Sequence, residues 1–199
     1  MRCPTAQLRL MVAAAVMAVT AFGAAALAQE DDYFANTKRL GRAAVEYRDP
    51  DIHAVAAYYY SQYNHDTRWL LVQAALTTSS NLVIHRDDIR LVTPSGREIA
   101  LPTQARVLRG VGQIRPVVLG ASASRHDVLS YFNERDRPEP LRLFSLSSDA
   151  VDTNFVSIRH HVTYGDLFFE SPTGLWEDGT HSLVIERDGV RAVLPIELE

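Results

Sequence analysis

Apolar and polar residues alternate with a period of two through much of the chain, and many of the apolar ones are β-branched or aromatic. This spacing is typical of half-buried β-strands, whose successive side chains point to opposite faces of a sheet. Many short strands separated by turn residues predict an all-β fold, an immunoglobulin-like antiparallel β-sandwich, with a barrel as the alternative. Besides two hairpins, strands are expected at residues 55–63, 69–77, 104–108, 114–119, 141–146, 155–164 and 167–169.

The clearest hairpin is predicted at the C-terminus. Residues 181–186 lead into Asp188-Gly189, and the chain returns as residues 190–198. An Asp-Gly pair favours the positive φ angles that a tight hairpin turn requires. Because Pro195 has no N–H to donate to a neighbouring strand, we expect the returning strand to lie at a sheet edge.

Turn residues and irregular stretches divide the middle of the chain. Pro94-Ser95-Gly96 is the predicted turn of a second hairpin, between strands at 89–93 and 98–101. Residues 120–140 form the longest irregular region, with a helical turn expected at 126–132. Long connections in compact domains often carry function, so this region is the first place to look for a site.

The first 28 residues depart from the strand pattern. Two arginines flank a polar start, residues 10–27 carry no charge and are rich in alanine, and Ala26-Leu27-Ala28 places small residues two apart. These are the parts of a secretory signal peptide with its cleavage site, and an uncleaved membrane anchor is the alternative. We therefore expect one exported domain at 29–199, in which residues 29–48 form an N-terminal arm.

The composition of the predicted mature chain differs from that of the full sequence. The single cysteine and all three methionines lie within the first 17 residues. The mature chain would then lack thiol nucleophiles, thiolate metal sites and methionine-lined copper(I) sites, and it would fold without disulfides. Loss of Arg2 and Arg9 lowers the net charge from −4 to −6. A nucleic-acid binder needs a basic face to neutralise phosphates, so we expect no nucleic-acid partner.

Residues 120–124, with the sequence Gly-Ala-Ser-Ala-Ser, follow an apolar run and precede the predicted helical turn. They resemble the nucleophile elbow of the α/β-hydrolases, in which a Gly-x-Ser-x-Gly turn raises a serine above the sheet. The resemblance implies Ser122 as the nucleophile, followed in the family's chain order by Asp149 or Asp152 and then by His181. A serine replaces the family's second glycine. A secreted serine hydrolase is the first alternative function.

Seven histidines raise the question of a metal site. No two of them are spaced i, i+4 or i, i+2, the separations that bring two imidazoles of one helix or strand to the same ion. His160 and His161 are neighbours on a predicted strand and are expected on opposite faces, His160 on the apolar one. A site assembled across strands from His161 and a distant carboxylate makes a periplasmic metal-binding protein the second alternative. For the main interpretation we expect no cofactor.

Aromatic residues are the best candidates for ligand binding. Tyr58 and Tyr60 share one face of a predicted strand, and Trp69 opens the next strand. Such side chains offer broad contact area at low entropic cost, so the three could form a platform for a sugar or an apolar peptide. The alternative is a sheet packed on both faces. We expect a non-catalytic binding or interaction module, periplasmic or extracellular, with a protein or glycan partner and no stable membrane insertion after signal cleavage.

Overall fold

A computed structural model describes residues 34–199, so the predicted signal peptide lies outside the described residues. The compact unit spans Asn36–Glu199. The described chain is mostly β-strand, with one α-helix, α1 (Gln104–Ser122), and short 3-10 helices at Arg86–Asp88 and Val128–Tyr131. The strands are β1 (Thr37–Arg39), β2 (Ala44–Arg48), β3 (Ile52–Ala57), β4 (Trp69–Thr78), β5 (Leu82–His85), β6 (Ile89–Val92), β7 (Glu98–Ala100), β8 (Arg137–Pro140), β9 (Asn154–Ser157), β10 (His161–Glu170), β11 (Gly179–Arg187) and β12 (Val190–Leu198).

Two larger sheets enclose the main hydrophobic core. The first has the order β1-β2-β3-β4-β10-β8, the second has the order β12-β11-β6-β7, and β5 pairs with β9 in a small ribbon. Leu70 and Val72 of β4 belong to the same buried cluster as Leu183 and Ile185 of β11. The fold is therefore sandwich-like, as the alternation predicts. Its pairing is antiparallel except between β8 and β10, which run parallel.

Both predicted hairpins are confirmed. β11 and β12 pair along their whole length around Asp188 and Gly189, which have φ angles of 49° and 84°. β6 and β7 pair across the turn that contains Pro94-Ser95-Gly96. β12 lies at the edge of its sheet, with Pro195 opposite Ser182. These features are local in sequence, because turn residues and alternation together specify a hairpin.

The predicted strands at 104–108 and 114–119 are instead parts of α1. Thr103 begins the helix by accepting a hydrogen bond from the backbone N–H of Arg106. The buried side chains of Val107, Ile114 and Val117 lie on one helical face, against the large sheet. The same apolar residues fit a period of two over short stretches, and the glycines and proline of this segment weaken any helical signal.

Other stretches also differ from the expected pattern: residues 137–140 form β8 within the region expected to be irregular, and residues 167–169 are continuous with β10. Residues 37–48, expected within an N-terminal arm, form β1 and β2 of the large sheet. The strand expected at 55–63 ends at Ala57, and a positive φ at His160 separates β9 from β10. Residues 141–146 form no strand, and the backbone N–H and carbonyl of Ser145 instead hydrogen-bond to the side chain of Gln104 on α1. The helical turn expected within 126–132 is present as the second 3-10 helix.

Among residues 34–199 the structure has no helix of the length and apolar character that crossing a membrane requires.

Replacing either of two glycines of α1 with alanine is expected to change the free energy of unfolding, in opposite directions for the two positions. A Cβ atom on Gly110 would lie 2.5 Å from Cζ2 of Trp69, whereas one on Gly112 would meet nothing within 4 Å. Gly112→Ala should raise the free energy of unfolding by about 0.5–1 kcal/mol, because alanine loses less entropy in a helix. Gly110→Ala should lower it by about 1–3 kcal/mol through overpacking. Urea denaturation of both variants measures the two changes in the free energy of unfolding. Changes of the same sign would contradict the close approach of α1 to Trp69.

Candidate functional site

Two of the three aromatic residues expected to form a platform are packed inside the protein, and the third, Tyr60, is partly buried. Tyr58 is 2% exposed in the core between the sheets, and Trp69 is 1% exposed beneath α1. The Trp69 indole N–H donates to Oε1 of Gln113 at 3.2 Å. Tyr60 lies in the turn after β3, with its ring against Gly120. At Tyr58 and Trp69, core packing therefore replaces the expected platform.

The residues of the hydrolase alternative lie in unrelated surroundings. Ser122 is the last residue of α1, and its Oγ donates to the carbonyl of Leu119 at 2.6 Å. The apolar run before it is helical, whereas a nucleophile elbow needs a strand there. His181 is fully buried on β11 beside Gly179, and Asp152 lies in an exposed loop. Within residues 34–199 no hydrogen bond joins Ser122, His181 and Asp152.

His160 and His161 each lie beside a carboxylate. His160 lies in an exposed turn, contrary to the apolar position expected for it, with Nδ1 3.2 Å from Oδ1 of Asp136. His161 opens β10, and its Nδ1 lies 3.1 Å from Oε1 of Glu139 on β8. A cross-strand carboxylate thus stands beside His161. In the described part of the chain, however, no group of three or more His, Cys, Asp or Glu side chains could hold a metal ion.

The outer face of β4 and β10, which points away from the main core, is apolar at both ends and polar between them. Leu71 and Phe168 pack beneath α1 at one end, and Ala75 belongs to the cluster beneath the second 3-10 helix at the other. Between these clusters Gln73 and Asp166 stand opposite each other in the antiparallel register. A polar pair therefore lies where neither α1 nor the 3-10 helix covers the sheet.

A cavity of about 390 Å³ opens over this pair. Its walls are Gln73 from β4, residues 125–129 from the loop after α1, and Tyr164, Gly165 and Asp166 from β10. We call it the Gln73–Asp166 cavity. Its volume falls within the range of roughly 300–1,000 Å³ that is usual for small-molecule sites. The loop wall belongs to the 120–140 region that the sequence marks as the first place to look.

Hydrogen bonds hold the polar groups of this cavity in place. A guanidinium nitrogen of Arg125 lies 2.7 Å from Oδ2 of Asp166, and the backbone N–H of His126 donates to Oε1 of Gln73 at 3.1 Å. The Nε2 amide of Gln73 has no protein partner among residues 34–199. The carboxylate of Asp166 is largely buried, with 19% of its side chain exposed, whereas Arg125 is open to solvent.

Aromatic stacking supports the loop wall. The His126 ring lies 4.9 Å from the ring of Tyr59 and 5.5 Å from that of Tyr131, measured between centroids. Nε2 of His126 is 2.7 Å from the Tyr131 hydroxyl, which donates to the carbonyl of Leu40. Burial raises the pKa of Tyr131 above its ordinary value, so the hydroxyl keeps its proton at neutral pH. The cavity is thus walled by anchored side chains.

No family model, no curated protein and no solved structure matches this chain.

Sequence reasoning missed the polar pair, although one signal was present. Gln73 is the single strongly polar residue in the apolar run from Trp69 to Leu76. In a strand that is otherwise apolar, such a residue indicates a position where the side chain forms a hydrogen bond or lines a cavity instead of packing in the core. Asp166 gave no comparable signal, because the strands expected at 155–164 and 167–169 left it in a turn.

Proposed function

We propose that the protein is an exported, non-catalytic binding module, an immunoglobulin-like β-sandwich that binds a neutral saccharide in the Gln73–Asp166 cavity. The observation that supports this most directly is the in-register pair of Gln73 and Asp166 beneath the cavity. Partly buried polar groups cost stability unless hydrogen bonds compensate them. A ligand rich in hydroxyl groups would supply those bonds.

The chemistry of the cavity wall favours a neutral ligand over an ion. Arg125 and Asp166 neutralise each other across 2.7 Å, which leaves the exposed Asp127 as the remaining charge of the wall. A hydroxyl group both donates and accepts, so it can bond to the Asp166 carboxylate and to the Nε2 amide of Gln73. The partly buried Tyr164 ring offers a flat apolar surface beside these groups, and ligand sites commonly combine such surfaces with a few polar anchors.

Asp166→Asn is expected to weaken saccharide binding about tenfold or more. The substitution preserves size but removes a charged acceptor, and a hydrogen bond to a charged group is worth about 1.5–3 kcal/mol. The purified protein would first be screened against neutral mono- and disaccharides by saturation-transfer NMR. Isothermal titration calorimetry of the best ligand would then compare the variant with the unmodified chain.

Asp149→Asn is the matched control, because Asp149 is an exposed carboxylate in the loop before β9 and does not line the cavity. It should bind the same saccharide as tightly as the unmodified protein. Equal affinities for the two variants would overturn the assignment of the cavity. A folded protein that binds none of the saccharides would overturn the ligand class and favour a protein partner.

A further inference from the structure

Another cavity, of about 250 Å³, lies beside α1 and is rich in arginine. It is lined by Arg68, which precedes β4, and by residues of α1: Arg106, Arg109, Gly110, Gly112 and Gln113. We call it the arginine cavity. None of its lining residues belongs to the Gln73–Asp166 cavity.

The arginine cavity carries a surplus of positive charge. The carboxylate of Glu170 on β10 pairs with two of these arginines. A guanidinium nitrogen of Arg68 lies 3.3 Å from its Oε1. Nε of Arg106 lies 2.6 Å from its Oε2, and a second Arg106 nitrogen contacts Oε1. The hydrogen bond from Arg106 is the main reason why the pKa of Glu170 is held below its ordinary value. Glu170 thus pairs with two of the three arginines of the cavity, and Arg109 has no ion-pair partner among residues 34–199.

The sequence of α1 also indicates a surplus of positive charge. Between Gln104 and Ser122 the helix contains three arginines and no aspartate or glutamate. Exposed helices commonly place acidic residues three or four positions from basic ones, because such pairs stabilise the helix. Arg106 and Arg109 have no such neighbour on the helix. Glu170 of β10 pairs with Arg106, so the charge of Arg109 is the one available to a ligand. This contrasts with the acidic balance of the whole chain, whose net charge is −4.

Two residues of the arginine cavity wall, Arg106 and Gln113, are held in position by contacts within the protein. Arg106 is fixed by Glu170 and lies over the indole of Trp69, 5.7 Å from the ring centroid. The same indole holds Gln113 through its N–H. Gly112 costs the helix stability relative to alanine, and no neighbouring atom within 4 Å explains its lack of a side chain. Gly112 leaves this part of the cavity wall without a side chain.

We propose that the arginine cavity is a second binding site, specific for the phosphate or sulfate group of a small molecule. Planar guanidinium groups donate paired hydrogen bonds that match the oxygen spacing of tetrahedral oxyanions. Arg109 and Arg68 supply donors that Glu170 does not occupy, while the Arg106–Glu170 pair forms a fixed wall. Two surplus positive charges suit a phosphate group, which carries one to two negative charges at neutral pH.

Arg109→Gln is expected to weaken the binding of inorganic phosphate and of sulfate about tenfold at low ionic strength, measured by isothermal titration calorimetry. Arg115→Gln is the matched control. It removes the same charge from the same helix, at an exposed residue that does not line the cavity, and should change affinity less than about twofold. A folded protein that binds neither anion, or equal losses in the two variants, would overturn the proposal, since the second result indicates only a diffuse charge effect.

The source of the oxyanion is distinguished by two further titrations. Glycerol phosphate should bind at least as tightly as inorganic phosphate and with the same sensitivity to Arg109→Gln. Vesicles of phosphatidylglycerol should bind no better than vesicles of phosphatidylcholine. Retention on the anionic vesicles without binding of the soluble phosphates would overturn the assignment to a small molecule. Asp166→Asn should leave phosphate binding unchanged, which separates this site from the Gln73–Asp166 cavity.

Discussion

Replacing Trp69 with alanine is expected to lower the free energy of unfolding by about 3–5 kcal/mol. Trp69 is among the largest fully buried side chains, and it packs in one cluster with Phe168 of β10 and Val107 and Ile114 of α1. Gly110 brings the helix backbone into contact with the indole, so the helix cannot easily close the space that the ring would leave. Urea denaturation monitored by circular dichroism measures the loss.

Leu119→Ala serves as the control for this substitution. Leu119 lies on the same helix but is 72% exposed, so its truncation should change the free energy of unfolding by no more than about 0.5 kcal/mol. If Trp69→Ala were equally harmless, Trp69 would be a surface residue, as the aromatic-platform hypothesis required. The position of α1 over the large sheet would then be wrong.

Acidification below about pH 6.5 is expected to destabilise the protein through His181. Its imidazole is fully buried on β11, 5.9 Å from the ring of Trp176, and this burial lowers its pKa below the ordinary value. Glu177 opposes the shift and His65 adds to it. The unfolded chain therefore takes up the proton first, at a pKa of about 6.5. His53 contributes with the same sign, chiefly because burial beside Phe132 also lowers its pKa.

The sign and size of this effect follow from proton linkage. Above about pH 6.5 neither state carries the proton on His181, and the stability is independent of that residue. Between the unfolded and folded pKa values, each such histidine lowers the free energy of unfolding by up to about 1.4 kcal/mol per pH unit of acidification. Urea denaturation at several pH values from 7.5 to 5 measures the slope.

His181→Gln should remove the contribution of one histidine from this slope. NMR titration of the unmodified protein gives a second reading that requires no variant. A His181 resonance that titrates at or above pH 6.5 would contradict the lowered pKa. An unchanged slope in His181→Gln would contradict the linkage.

Features that depend on neighbouring residues were predictable from the sequence. The Asp188-Gly189 turn and the alternation on either side of it specified the β11–β12 hairpin, and Pro195 correctly indicated an edge strand. The helical segment α1 was not predictable in this way. Its glycines and Pro116 weaken the helical signal, and its apolar residues satisfy two periods at once. Burial of Val107 and Ile114 against the large sheet decides between those periods.

Candidate sites depended still more on distant contacts. The sequence placed Tyr58 and Trp69 as binding residues because aromatic side chains suit both surfaces and cores, and only packing shows that these two are buried. Ser122 followed an apolar run that fitted a strand before an elbow. The run is helical, and the carbonyl of Leu119 accepts the hydrogen bond from the Ser122 hydroxyl. Neither difference could be read from adjacent residues.

The sequence by itself determined a strand-rich chain, its two hairpins and its acidic balance, because each rests on local pattern or on composition. Only the tertiary structure decided which polar groups meet. Gln73 and Asp166 face each other because β4 and β10 pair in one register, and Arg68 joins Arg109 because α1 docks beside Trp69. Register and docking are set by the burial of many side chains far apart in sequence, which no local pattern contains.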